Sequence, residues 1–174
     1  MIVDCFASLI VPRNQQNINM PYNAGMNAHH YTPQNAQILI AQLRETPNRF
    51  AELLDDQNFQ TNNHPQTPNE ILAHLVSCAE IWSYEIYAML TKEMPSLEKI
   101  DPDDWNTTVP YQNQKFEHIL QKFTLDRKIL LDVLEDLAPE QWERRAEIGG
   151  QVYAVFGLVW RIAEHEKIQM ALIR

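Results

Sequence analysis

Residues Gly149 to Arg174 read GGQVYAVFGLVWRIAEHEKIQMALIR. At about 100° per residue, Val152, Val155, Val159, Ile162, Glu166, Gln169, Met170 and Ile173 fall on one stripe of a helix, with His165 at its edge. The stripe is aliphatic in its first half and polar in its second. Burying Glu, Gln and His costs free energy unless they find partners. A metal ion, an ionic network inside a helix bundle, or water at an open end would each supply them.

The residues that can meet His165 and Gln169 come from three earlier segments. Thr32-Pro33 opens a first helix with a capping residue and a proline at its first turn. Ala36, Leu39, Leu43, Phe50, Leu53 and Leu54 give it an apolar stripe, and Pro47 inside the pattern predicts a kink near Leu43. The polar run Asp55 to Gln66 reads as a loop. Thr67-Pro68-Asn69-Glu70 then combines an N-cap, a first-turn proline and the Glu of a capping box, which fixes the start of helix two.

In helix two, Ile71, Leu75, Cys78, Trp82, Ile86 and Met89 form the buried stripe, with His74 and Glu85 on its flank. A lone flanking histidine is more often a hydrogen-bonded core residue than a ligand. Cys78, one turn after His74, can share a metal with it, although a free cysteine in such a stripe usually serves as a small hydrophobe. Residues 91 to 111, TKEMPSLEKIDPDDWNTTVPY, read as a long crossover pinned by Trp105 and covering the mouth of any site. Helix three spans about Gln112 to Leu137, with Phe116, Ile119, Leu120, Phe123, Leu130, Val133, Leu134 and Leu137 inward. Arg127 lies within that stripe and must be paired or snorkel out along its stem; Glu85 and Glu166 are the candidate partners, with a core salt bridge ranked ahead of a substrate anion. Ala138 to Trp142 starts a short helical turn, and Gly149-Gly150 makes the turn before helix four. Four amphipathic helices with a long crossover between the second and third give an all-α four-helix bundle over residues 32–174. Facing side chains in the core of such a bundle build metal and cofactor sites.

Composition sets the outer limits. At 174 residues, 45% hydrophobic and 21% charged, the chain has the size and balance of one globular domain. A net charge of −9 without a basic patch argues against nucleic acid. No apolar run is long enough for a bilayer span, and Met1 to Val11 carries Asp4 where a signal peptide would be basic. Cys5 and Cys78 lie far apart without a CxxC pair, as in a reduced, cytoplasmic protein. Residues 1–31, rich in Asn, Gln and Pro, read as a poorly ordered arm, and its His29-His30 pair as incidental. No nucleophile motif, phosphate loop or dinucleotide turn is present.

Several segments, in this order, resemble the DinB/YfiT-like superfamily: Ile71-Leu72-Ala73-His74-Leu75, Pro102-Asp103-Asp104-Trp105, Arg127, Gly150 and His165-Glu166. The resemblance covers roughly Thr32 to Arg174. It implies a four-helix bundle, frequently a homodimer, in which many members hold a divalent metal with three histidines. It also implies enzymes acting on small molecules, among them transferases and isomerases that use a low-molecular-weight thiol such as bacillithiol or mycothiol. Two of the family's ligand positions match His74 and His165, and the third, four residues on, is Gln169 here. An amide oxygen is a weaker donor than imidazole to Zn, Ni or Fe, so the implied site is weakened. Three outcomes stay open: a metal site completed by Glu166, Cys78 or water, a metal-free hydrogen-bonded cluster, or a polar cleft for another ligand. They correspond to a divalent-metal-dependent enzyme on one side and a non-catalytic dimeric binding module on the other.

Overall fold

The computed structural model describes residues 30–55 and 66–173. The predicted arm up to His29, Cys5 within it, and most of the predicted loop between the first two helices lie outside the described residues. So does the side chain of Leu54.

The elements in chain order are helix α1 (Pro33–Asp55), helix α2 (Pro68–Thr91), strand β1 (Ser96–Leu97), helix α3 (Pro102–Thr108), a 3-10 turn (Tyr111–Asn113), helix α4 (Phe116–Glu135), helix α5 (Pro139–Trp142), strands β2 (Arg145–Ile148) and β3 (Gln151–Ala154), and helix α6 (Val155–Met170). The four long helices form the bundle. Helices α1 and α2 each pack against both α4 and α6, so α1 lies diagonally opposite α2 and α4 diagonally opposite α6. Local chemistry sets their starts. The Asn35 amide donates to Thr32 Oγ1 at 3.1 Å, and Thr67 and Glu70 complete the expected capping box, in which the Thr67 amide donates to Glu70 Oε2 at 2.7 Å. Such caps are each worth about 1 kcal/mol. Helix α1 runs on through Pro47, held by Leu43 and Phe50 on either side, both fully buried. Packing there outweighs the lost backbone bond.

Two features differ from the sequence reading. Helix four does not begin after Gly150. Residues Gln151–Ala154 are instead β3, paired antiparallel with β2 in the register Ile148↔Gln151 and Ala146↔Tyr153. Gly149 (φ 56°) and Gly150 (φ 82°) form the two-residue turn between them. Positive φ at both central residues is what a tight hairpin needs, and glycine adopts it without a Cβ clash. A Cβ on Gly149 would also stand 2.8 Å from Lys99 Cβ. Val152, expected on the buried helical stripe, is therefore exposed, whereas Ala146, Ile148 and Tyr153 alternate inward as strand residues. The crossover also has structure of its own. Its β1 pairs parallel with β2 and its α3 packs against α2. Helix three is shorter than expected, with the 3-10 turn standing where its first residues were placed.

The apolar core falls into two clusters. Around the hairpin, Leu43, Trp82, Ile86, Leu134, Trp142, Tyr153 and Val159 pack together, and Tyr31 stacks on Trp142 at 5.8 Å. Toward the other end lie Phe50, Ile71, Leu75, Ile119, Phe123 and Met170. The buried polar residues Thr46, His74, Ser77, Glu85, Arg127, His165, Glu166 and Gln169 come from all four long helices. Among the described residues no helix is long and apolar enough to cross a membrane.

Candidate functional site

Helix α2 contributes His74 and Cys78, one turn apart and therefore on one face. Helix α6 contributes His165 from the facing side. His74 Nε2 lies 3.2 Å from His165 Nε2, and Cys78 Sγ lies 3.5 Å and 3.7 Å from those two nitrogens. All three residues are buried. Zinc bound tetrahedrally, about 2.0–2.1 Å from nitrogen and about 2.3 Å from sulfur, would hold nitrogens about 3.3 Å apart and nitrogen from sulfur about 3.6 Å. The observed triangle matches that face edge for edge. Its donor set, two imidazoles and a thiol, also suits zinc.

The electrostatics keep both imidazoles neutral. Burial lowers the His74 pKa below its ordinary value, against the opposing pull of Asp103 and Asp101. His165 is pushed down to about 3 by burial first, then by His74 and Arg161. Neutral rings leave a nitrogen lone pair available for a Lewis acid.

The remaining sequence candidates fall into separate environments. Glu166 pairs with Arg127 in the bundle interior, which settles the choice of partner for that arginine. Burial raises the Glu166 pKa, with Arg127 and Thr46 opposing. Gln169, one turn beyond His165, is buried, and its Oε1 has no hydrogen-bond partner. Glu85 does not reach Arg127. It lines a cavity of about 20 Å³ with Lys99, Tyr153 and Arg161 under the hairpin, and burial pushes its carboxyl up to about 7 despite Arg161 and Lys99. Trp82 separates that cavity from the cluster, with its ring edge-on to His165 at 5.2 Å and the Arg161 guanidinium over it at 5.3 Å. Trp105 pins the crossover as expected, since its Nε1–H donates to Glu80 Oε2 at 2.8 Å.

One polar neighbour escaped the sequence reading. Asp103 Oδ1 on α3 lies 3.6 Å from His74 Nδ1. Its segment stood out in the sequence, but nothing local indicated that it returns to helix α2. Cys78 was weighed mainly as a hydrophobe. Its i, i+4 spacing from His74 was the available signal.

These features define a mostly helical protein whose four-helix bundle carries a histidine–cysteine cluster able to hold a metal ion, its ligand atoms all within 4.8 Å of one another. Residues 39–173 match the DinB superfamily, and the chain belongs to that family. Its fold is similar to a solved structure described as "YfiT from Bacillus subtilis is a probable metal-dependent hydrolase with an unusual four-helix bundle topology", at a TM-score of 0.71 and 15% identity over 82% of this chain and 86% of that one. No curated protein matches the sequence.

Proposed function

We propose that this protein is a divalent-metal-dependent enzyme whose metal, zinc by preference, is held by His74, Cys78 and His165. The observation that carries this reading is the 3.2, 3.5 and 3.7 Å triangle of donor atoms. Cys78 on α2 takes the part that a second helix-six histidine would have played, and Gln169 stands in that histidine's place. Bound there, the metal would supply a Lewis acid that lowers the pKa of a water or thiol and makes it a nucleophile near neutral pH. Three protein donors leave a fourth position for that nucleophile. The chain's own residues prepare the ground. The neutral histidines offer lone pairs, Trp82 walls one side and keeps bulk water from His165, and the unpartnered Gln169 Oε1 offers a buried acceptor one turn away. The reaction class is hydrolysis or thiol transfer to a small electrophile; for hydrolysis, the description of YfiT as a probable metal-dependent hydrolase gives support.

A second reading rests on the same 3.2 Å contact, which is also the length of an ordinary hydrogen bond between neutral imidazoles. On that reading the cluster is a satisfied core group in a binding or interaction module. Elemental analysis separates the two. After incubation with Zn, Ni or Mn and removal of excess, near-stoichiometric metal in the wild type, absent from His74→Ala and Cys78→Ala, supports the enzyme. Metal absent from the wild type but gained by Gln169→His points to the interaction module.

A further inference from the structure

We propose that Asp103 is a positioning residue for His74, holding the ring in the tautomer whose Nε2 lone pair faces Cys78 and His165. This inference rests on the metal reading for its functional meaning, but its structural content stands independently. The His74 ring has two distinct sides. Nε2 faces the donor triangle, 3.2 Å from His165 Nε2 and 3.5 Å from Cys78 Sγ, while Nδ1 faces the Asp103 carboxylate at 3.6 Å. A carboxylate beside Nδ1 favours the proton there, and a proton on Nδ1 leaves Nε2 as the donor atom. Metal-binding histidines commonly give their second nitrogen such an acceptor, which fixes the ring and raises its basicity.

The placement of Asp103 is built rather than incidental. The Asp103 amide is held by Asp101 Oδ1 at 2.9 Å, which caps α3. Two residues on, Trp105 is anchored to Glu80, which also accepts from Tyr111 at 2.8 Å and pairs with Lys122 at 2.8 Å. Burial pulls the Glu80 pKa upward, but the hydrogen bonds from Lys122, Trp105 and Tyr111 outweigh it and keep the carboxylate charged. Glu80 lies two residues beyond Cys78 on α2. The helix that carries two of the three donors therefore also carries the anchor that returns the crossover to the cluster. Asp103 itself is mostly exposed, with 62% of its side chain accessible, so replacing it removes the contact without opening the core.

The test uses Asp103→Ala, Asp103→Asn and Asp103→Glu in the full chain. Nitrogen-15 NMR of the metal-free protein reads the His74 tautomer, and competition with a chelator reads zinc affinity, with cobalt(II) absorption reporting the Cys78 thiolate. The wild type is expected to show the Nδ1–H tautomer. Asp103→Ala is expected to lose that preference and to bind zinc about 10–100-fold more weakly. Asp103→Asn should keep the tautomer, because its amide oxygen still accepts, and Asp103→Glu should recover part of the affinity. An unchanged tautomer and unchanged zinc affinity in Asp103→Ala would overturn the proposal. A wild type that binds neither zinc nor cobalt would overturn the metal reading, and the tautomer measurement would still decide the role of Asp103.

Discussion

The bundle buries polar side chains in two arrangements that solve the same problem differently. Arg127 and Glu166 are opposite charges from α4 and α6, almost completely buried and paired with each other. His74, Cys78 and His165 are three groups neutral in their free forms, drawn from α2 and α6, whose donor atoms converge on one point. The ion pair matches charge with charge, although Arg127 Nε and Nη1 and Glu166 Oε2 are buried without a hydrogen-bond partner. The cluster gathers three donor atoms close enough together for one metal ion to reach them all. Burial and polarity alone do not distinguish the two arrangements. Whether the groups neutralise one another or point together does.

Breaking the ion pair should have the largest effect on stability. Arg127→Met leaves Glu166 buried without its counter-charge and is expected to cost about 3–5 kcal/mol, whereas Arg127→Met with Glu166→Leu should recover most of that loss. Urea melts of the single and double variants would check this, and a double variant no better than the single would show that the pair is not self-contained.

Glu85 is an intermediate case, a buried carboxyl beside Arg161 and Lys99 that burial nonetheless holds near 7. With a folded-state value above the unfolded one, the folded protein binds more protons between about pH 4.5 and 7. Its stabilising contribution is complete below that window and lost as pH rises through it, by roughly 2–4 kcal/mol. Glu85→Gln should flatten the stability profile over that range. A profile as steep as the wild type's would assign the slope to other groups.

The smallest effect belongs to the cluster. Without metal, Cys78→Ser should shift stability by only about 1 kcal/mol, because no charge is stranded. Zinc is expected to raise the melting temperature of the wild type and to leave that of Cys78→Ser unchanged. An equal zinc-induced rise in both proteins would remove Cys78 from the site.

Much of this arrangement was written in local signals. The start of α2 is set by Thr67, Pro68 and Glu70 within four residues, and the inward faces carrying His74, Arg127 and His165 follow from helical periodicity. What depended on nonlocal contact was harder to read. Arg127 had two acidic candidates, and only the assembled bundle, in which its side chain meets Glu166 across the interior, selects between them. The hairpin was hidden because Val152, Val155 and Val159 also suit a helical stripe. The competing clue was the alternation of Ala146, Ile148 and Tyr153 around two glycines. Asp103 was illegible as a partner of His74, since its return depends on Trp105 finding Glu80 across the fold.

The pairing of β1 with β2 also bears on the order in which the molecule assembles. Ser96 and Leu97 have nothing to pair with until Glu147 and Ile148, far along the chain, have turned back through Gly149 and Gly150. Contacts between residues so distant in sequence close late, because the entropy of the intervening chain must be overcome first. The β1 end of the crossover is therefore strapped down only after the hairpin exists, whereas its Trp105 end reaches Glu80 without it. His74 and Cys78 share one helix, and the loop that brings Asp103 back to them through Trp105 and Glu80 is far shorter than the one that brings His165, so by the same argument His165 is the last of the four to arrive.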